Sequence, residues 1–424
     1  MSILLKNTTF IDWQNLAFKP CDILLEEGVH GTIKFYAPNE KQDLKDVQVL
    51  DCSGKYVTKS FAIGHHHAYS ALAKGMPAPK KSPADFLEIL QYIWWNLDKC
   101  LNREMVEYSA LTTAMACAKA GSTFVIDHHA SSGFIRGSLE LMAKAFEKVG
   151  VGHLLCYEIT DRDGQEKAEE GLEETASFLS HQKGLIGLHA SFTVGEATLS
   201  KAVRIMQQYQ TGIHIHVAED IFDQTHCHDT YHKTVIERLH QAGVLSAPET
   251  ILVHGLYLNE KERNLIANSP VWMVQNPESN LNNKVGFFNS KNLGDKIMIG
   301  TDGMHSDILQ SSKVAFLAGQ AYDQINYEDT YNRLRNVHRY LHENNFSGDG
   351  DNNLIVLDYD TATDFNTSNF FGHFIFGLRS NHIYHVISDG RLIVKNRILQ
   401  TVDEESLLVE SRKLSKILWS KMQS

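Results

Sequence analysis

The sequence predicts an α/β fold, a TIM-type (β/α)8 barrel with a small β-sandwich domain built from both termini. Three observations carry this prediction. From Phe61 onward, eight short apolar runs recur with helical patterns between most of them, over roughly 250 residues, the size of such a barrel. Several of these runs end in histidine or a carboxylate, the arrangement expected at the C-terminal mouth of parallel strands. Both ends of the chain read instead as short strands separated by turns.

Taken in order, residues 1–58 hold strand candidates at 3–6, 22–26, 32–36 and 47–51. The barrel is assigned to residues 59–349, and the second part of the composite β domain to 350–424. The barrel strands are expected at 61–67, 123–127, 151–159, 185–189, 213–217, 251–254, 271–275 and 296–300. Helical patterns lie at 103–120, 137–149, 166–181, 197–210 and 230–242, with a further helical stretch to about Asn345. Ser82, with Pro83 and Asp85 behind it, reads as the start of a helix that runs to about Cys100. That helix carries Trp94 and Trp95, assigned to core packing with a lid over the pocket as the alternative. Polar residues 344–353 read as a linker, Asp389-Gly390 as a two-residue hairpin turn, and 406–422 as a closing helix.

The 424 residues carry 40 Lys+Arg against 51 Asp+Glu, a net charge of −11 with neither sign gathered into a block, which argues against nucleic acid or an anionic membrane as partner. No run approaches the ~20 apolar residues of a membrane span, and the first residues lack the pattern of a signal peptide. The six cysteines form no Cys-x-x-Cys pair, so a reducing cytoplasm is expected, with neither a disulfide framework nor a cysteine-bound metal. The 22 histidines are many and clustered, a compositional hint of metal chemistry.

Strand alternation puts His65 and His67 on one face and His66 on the other, so His65 and His67 form half of a metal site and His66 packs behind it. The second half is sought among His216 with Glu219 three residues on, His254, and Asp302. His214 shares a face with His216 one pleat deeper and reads as interior packing. His226-Cys227-His228 is placed in a solvated loop. His189 and His128 are expected to face the mouth and contact a substrate ring, with a structural role as the alternative.

The motifs His65-x-His67, His216-Val-Ala-Glu219, His254, Asn276-Pro-x-Ser279-Asn280 and Thr301-Asp302-Gly303, in this order, resemble the amidohydrolase superfamily in its branch of cytosine, guanine and triazine aminohydrolases. The segments 65–72, 157–164, 187–193 and 276–283 are most like the aminohydrolase group called SsnA. One departure is Lys59-Ser60, where that family usually has Pro-Gly before the first strand.

The resemblance implies a single divalent ion held by His65, His67, His216 and Asp302; zinc suits these ligands, and iron or manganese would be tolerated. It implies that Asp302 takes a proton from the attacking water, that Glu219 protonates a ring nitrogen, and that His254 stabilises the attacking oxygen. Tyr69 and Ser70 join His189 and His128 as expected substrate contacts. No lysine ends the third or fourth strand, although Glu158 lies on the third, so one metal is expected rather than two. The expected activity is deamination of a cyclic amidine in a purine, pterin, pyrimidine or triazine-like ring. Ring opening of a cyclic amide or imide and a catalytically silent relative are the alternatives. A polar amide able to read a purine edge is missing at Ser70, which weighs against a purine. Dimerisation is common in that branch, so a homodimer is an open option.

Overall fold

The computed structural model describes residues 2–38, 40 and 45–423. Its first sheet is assembled from both ends of the chain. The N-terminal part supplies β1 (Ser2–Ile11), β2 (Phe18–Leu25), β3 (Ile33–Tyr36), β4 (Val47–Asp51) and β5 (Tyr56–Lys59). Eight barrel strands follow: β6 (Phe61–His66), β7 (Ser122–His129), β8 (Gly152–Ile159), β9 (Ile186–Ala190), β10 (Ile213–Val217), β11 (Ile251–His254), β12 (Trp272–Gln275) and β13 (Ile297–Ile299). The chain then returns to the first sheet with β14 (Leu354–Leu357), β15 (Ile383–Ser388), β16 (Arg391–Lys395) and β17 (Ile398–Leu399). That sheet runs β17-β16-β15-β14-β5-β1-β2-β3, with β4 also paired to β1.

The barrel strands are parallel neighbours in sequence order. Closure comes from the Thr301 and Asp302 N–H groups, which donate to the His65 carbonyl at 3.0 and 3.2 Å. Strand ends approach closely here: a Cβ at Gly300 would meet Asn276 Oδ1 at 2.3 Å and the His65 Cβ at 2.9 Å, so only glycine fits. The Asp389-Gly390 hairpin is as expected, with φ of 47° and 70° giving the left-handed pair a two-residue turn needs.

Four local expectations are corrected. The helix opening near Ser82 starts at Asp85, whose carboxylate caps the Glu88 N–H, and proceeds through a wider π turn at Leu90–Trp94 before its last turns at Trp95–Cys100. The helix expected at 230–242 is two, Ile221–Tyr231 and Val235–Gln241, broken where His232 takes φ 54°. His226-Cys227-His228 therefore lies on a helix rather than in a loop, with Cys227 turned into the core and His228 to solvent. The polar stretch 344–353 is no loose linker, because Asn352 and Asn353 are fully buried and the Asn353 side chain accepts from the Asp389 N–H at 2.6 Å. The closing helix, Glu404–Met422, lies along the helix Arg103–Lys119, joined through Thr112–Ser411 and Lys119–Glu404.

Lys59 gives that polar stretch its meaning. Its ammonium sits 2.8 Å from Asp349, and the other Asp349 oxygen takes a 2.7 Å bond from His338. Burial opposes ionisation, yet His338 and Lys59 hold the Asp349 carboxyl down at about 2. Breaking a buried pair leaves a stranded charge, so Asp349→Ala should lower unfolding free energy by about 3–5 kcal/mol. A carboxyl depressed below its unfolded value stabilises fully above about pH 4 and loses that contribution toward about pH 2. Unfolding midpoints of variant and parent should therefore converge in acid, and a parallel offset at every pH would count against this account.

Candidate active site

The ends of β6 and β10 bring His65, His67 and His216 together, with donor atoms within 4.8 Å of one another. Each ring is oriented from behind. The Nδ1–H groups of His67 and His216 donate to the carbonyls of His128 and His189, both at 2.7 Å. Their Nε2 atoms are thereby left as bare lone pairs, yet they face each other at 3.2 Å. Two lone pairs repel at that distance unless a cation lies between them, and ~3.3 Å is the N···N edge of a tetrahedral site with ~2.0–2.1 Å bonds. The third ring repeats the pattern, with His65 Nδ1 2.9 Å from His214 Nε2 and a fully buried Nε2 that has no hydrogen-bond partner. Burial and the neighbouring rings push His65 and His216 well below the usual histidine value, so both imidazoles are neutral and ready to ligate. These residues fit a divalent cation.

Three strand ends complete the mouth through backbone kinks. Ala218, His254 and Asp302 all take positive φ, 45°, 71° and 53°, a conformation that a residue with a side chain adopts at a cost. The kink at Ala218, whose N–H donates to Asp223, carries Glu219 back over the opening. Asp302 Oδ1 lies 3.3 Å from His67 Nε2 and 3.9 Å from His65 Nε2. His254 Nε2 stands between the carboxyls, 3.3 Å from Glu219 and 3.6 Å from Asp302. Burial, with the Asp302 charge added, raises the Glu219 carboxyl well above its usual value. Burial alone would also raise Asp302, but His67 and His254 bring it below. Two neighbouring carboxyls are thus split into one that keeps its proton and one that has lost it.

A cavity of about 60 Å³ opens onto this cluster. Tyr69, Ser70 and His189 line it together with Glu158 from β8, Ser279, and Phe86, Leu90, Trp94, Trp95 and Asp98 from the bent helix over the mouth. A model of the amidohydrolase family matches residues 64–342, most of the chain.

The chain belongs to the amidohydrolase family.

Among relatives of this amidohydrolase, a 5-methylthioadenosine/S-adenosylhomocysteine deaminase from Caldicellulosiruptor saccharolyticus is 25% identical over 99% of both chains. A 5'-deoxyadenosine deaminase from Methanopyrus kandleri is 25% identical over 84% of this chain and 85% of its own. Among solved structures, an adenosine deaminase from Xanthomonas campestris with bound zinc superposes with a TM-score of 0.83 at 16% identity, covering 99% of this chain and 98% of its own; at that identity the likeness speaks for the fold.

Several side chains of this amidohydrolase sit differently from expectation. His128 lies deeper than the mouth, fully buried, with Nε2 on the carbonyls of Leu188 and His214 and Nδ1 3.3 Å from Glu158. His214 is interior, but it steadies His65 rather than merely filling space. Trp94 and Trp95 are cavity wall, not core; Trp95 stacks edge-on to His189 and carries the Arg162 guanidinium over its ring. His66 does face away, bonded to Ser306 at 3.0 Å and 3.4 Å from Asp127.

Sequence reasoning missed Asp98 and Arg162 altogether. Arg162 ties Asp98 to Glu158, donating to Glu158 Oε1 at 2.8 Å and making a short contact to Asp98 Oδ2. Burial pushes Asp98 up to about 7 against the pull of Arg162, whereas His189, Arg162 and His128 overcome burial at Glu158 and hold it well below the usual range. Neither residue stands in a spacing pattern. The available signal for Arg162 was segment 157–164, singled out by its resemblance without a role for this residue; Asp98 had none.

Proposed function

We propose that the protein is a metal-dependent aminohydrolase that deaminates a heterocyclic amidine and releases ammonia. The facing Nε2 atoms of His67 and His216 at 3.2 Å carry this reading, because that arrangement asks for a cation within reach of a proton-bearing Glu219. His65, His67, His216 and Asp302 would hold one divalent ion, which supplies Lewis acidity and an activated water. Zinc is the proposed metal: three imidazoles suit it, and the adenosine deaminase of like fold contains it. A single ion is favoured because Glu158, the carboxylate on the third strand, is already committed to Arg162 and His128.

The protein's own groups then divide the proton work. Asp302, ionised, accepts the proton of the attacking water. Glu219 delivers its proton to a ring nitrogen, which makes the neighbouring carbon electrophilic, then takes the proton of the newly added hydroxyl as the carbonyl forms and passes it to the departing amine, after which the proton held by Asp302 restores Glu219. His254, between the two, is placed to hydrogen-bond the attacking oxygen as charge develops on it. Phe86, Leu90, Trp94 and Trp95 of the bent helix 86–100 line the cavity and would shield a bound ring from water. The six free cysteines accord with the proposed cytoplasmic location, and among the described residues no helix is long and apolar enough to cross a membrane.

Elemental analysis of purified protein, with ammonia release assayed on amino-purines, pterins, pyrimidines and triazines, tests this. About one metal per chain and ammonia from at least one ring are expected. Two metals per chain, or hydrolysis without ammonia, would overturn it in favour of cyclic-amide opening.

A further inference from the structure

We propose that the substrate of this site is an amino heterocycle bearing an uncharged apolar arm, and that a second lobe of the cavity, lined by Phe86, Leu87, Leu90, Ala190, Phe192 and Phe222, receives that arm. The inference rests on the deaminase reading and specifies its substrate.

The two lobes meet at the reacting groups. Phe86, Leu90, His189, His216 and Glu219 line both the cavity described above and the second lobe. A ring held against His216 and Glu219 therefore has space on two sides. The first side is polar, with Ser70, Asp98, Glu158, Ser279, Asn282 and Asn283 among its walls. The second is built by three segments that contribute mainly hydrocarbon. Phe86, Leu87 and Leu90 come from the first turns of the bent helix, Phe192 from the turn after β9, and Phe222 from the start of the helix Ile221–Tyr231. One buried carboxylate ties the last two segments together: Asp223 accepts from the Phe192 N–H at 3.2 Å and from the Ala218 N–H at 2.8 Å. The Phe192 and Phe222 rings then meet edge to face, their centroids 5.3 Å apart.

Charge decides what kind of arm fits. Asp223 commits both oxygens to backbone N–H groups, and Asp220 caps the helix at the Phe222 N–H, 2.8 Å away, so that helix N-terminus already holds a carboxylate. No lysine or arginine lines either lobe. An arm ending in a carboxylate or phosphate would enter beside Glu219, Asp220 and Asp223 with no cation to meet it, and would carry the cost of a desolvated charge. A hydrocarbon arm meets phenylalanine and leucine side chains and gains by leaving water.

Matched probes separate the arm from the ring. Metal-loaded Glu219→Gln protein, silenced for turnover, is titrated calorimetrically with 9-substituted adenines, 1-substituted cytosines and 6-substituted diaminotriazines, each carrying a methyl, butyl or carboxybutyl arm. A buried methylene is worth about fourfold in affinity and ordering the chain takes back part of it, so butyl should bind at least about tenfold more tightly than methyl in at least one series. The carboxybutyl probe of that series should bind at least about tenfold more weakly than butyl. Leu87 is half-buried and lines only the second lobe, so Leu87→Arg should reverse the order of butyl and carboxybutyl while metal content and methyl-probe affinity stay unchanged. If that variant fails to fold, Phe222→Ala, which enlarges the lobe, should move the preferred arm from butyl to hexyl. No gain from butyl in any series, equal binding of butyl and carboxybutyl, or preferences untouched by the variant would overturn the proposal. Ammonia release from the butyl probes by the unaltered enzyme is scored separately, so an arm preference without ammonia would sink the deaminase reading and leave the lobe standing.

Discussion

His216→Ala should yield folded protein that retains almost no tightly bound metal and has lost on the order of 10⁴ of its activity, the equivalent of about 5.5 kcal/mol of transition-state stabilisation. The reason lies in how firmly that ring is aimed. Its Nδ1 is fixed on the His189 carbonyl and its Nε2 on the point where His65 and His67 converge. A graded control sits behind the site. His214→Gln leaves all ligands in place and removes only the support of His65, and loss of such an outer partner typically costs 10–100-fold in metal affinity. Metal content after dialysis against a chelator, read beside turnover, should rank unaltered protein above His214→Gln and His214→Gln above His216→Ala. Full metal retention by His216→Ala would remove His216 from the ligand set.

Glu219→Gln should behave in the opposite way, keeping its metal while kcat falls by about 10²–10⁴. Glutamine reproduces the shape of the neutral carboxyl that burial and Asp302 impose on Glu219, so binding and folding are expected to survive. It has no proton to give to a ring nitrogen. The loss should therefore appear in kcat with KM little changed, the sign of an interaction made in the transition state. A variant that turned over at the parental rate would exclude Glu219 as the proton donor.

How much of this could be read from the sequence depends on the range of the physics involved. Strand alternation is local, so the facing of His65 and His67, with His66 behind, followed from the spacing. Polar groups at apolar run ends marked the mouth for the same reason. What failed was long-range. His128 and His214 share the periodicity of their neighbours, and only the barrel's depth decides that one backs Glu158 and the other backs His65. Trp94 and Trp95 lie in a helix whose π turn is set by what it covers, which no helical repeat announces. Asp98 and Arg162 are 64 positions apart and become partners only once that helix closes over β8. Lys59 looked like a simple departure from Pro-Gly, and its significance rests on Asp349, near the other end of the barrel.

The pairing of β5 with β14 also sets a timetable for synthesis. Lys59 finds its partner Leu354 only after roughly 300 further residues have been made, which at 5–20 residues per second is about 15–60 s. Throughout that interval the N-terminal strands present an open flank to solvent while the barrel accumulates behind them. A nascent chain stalled before β14 would expose that flank indefinitely, making it a natural handle for a holding chaperone and the first place for two unfinished chains to stick together.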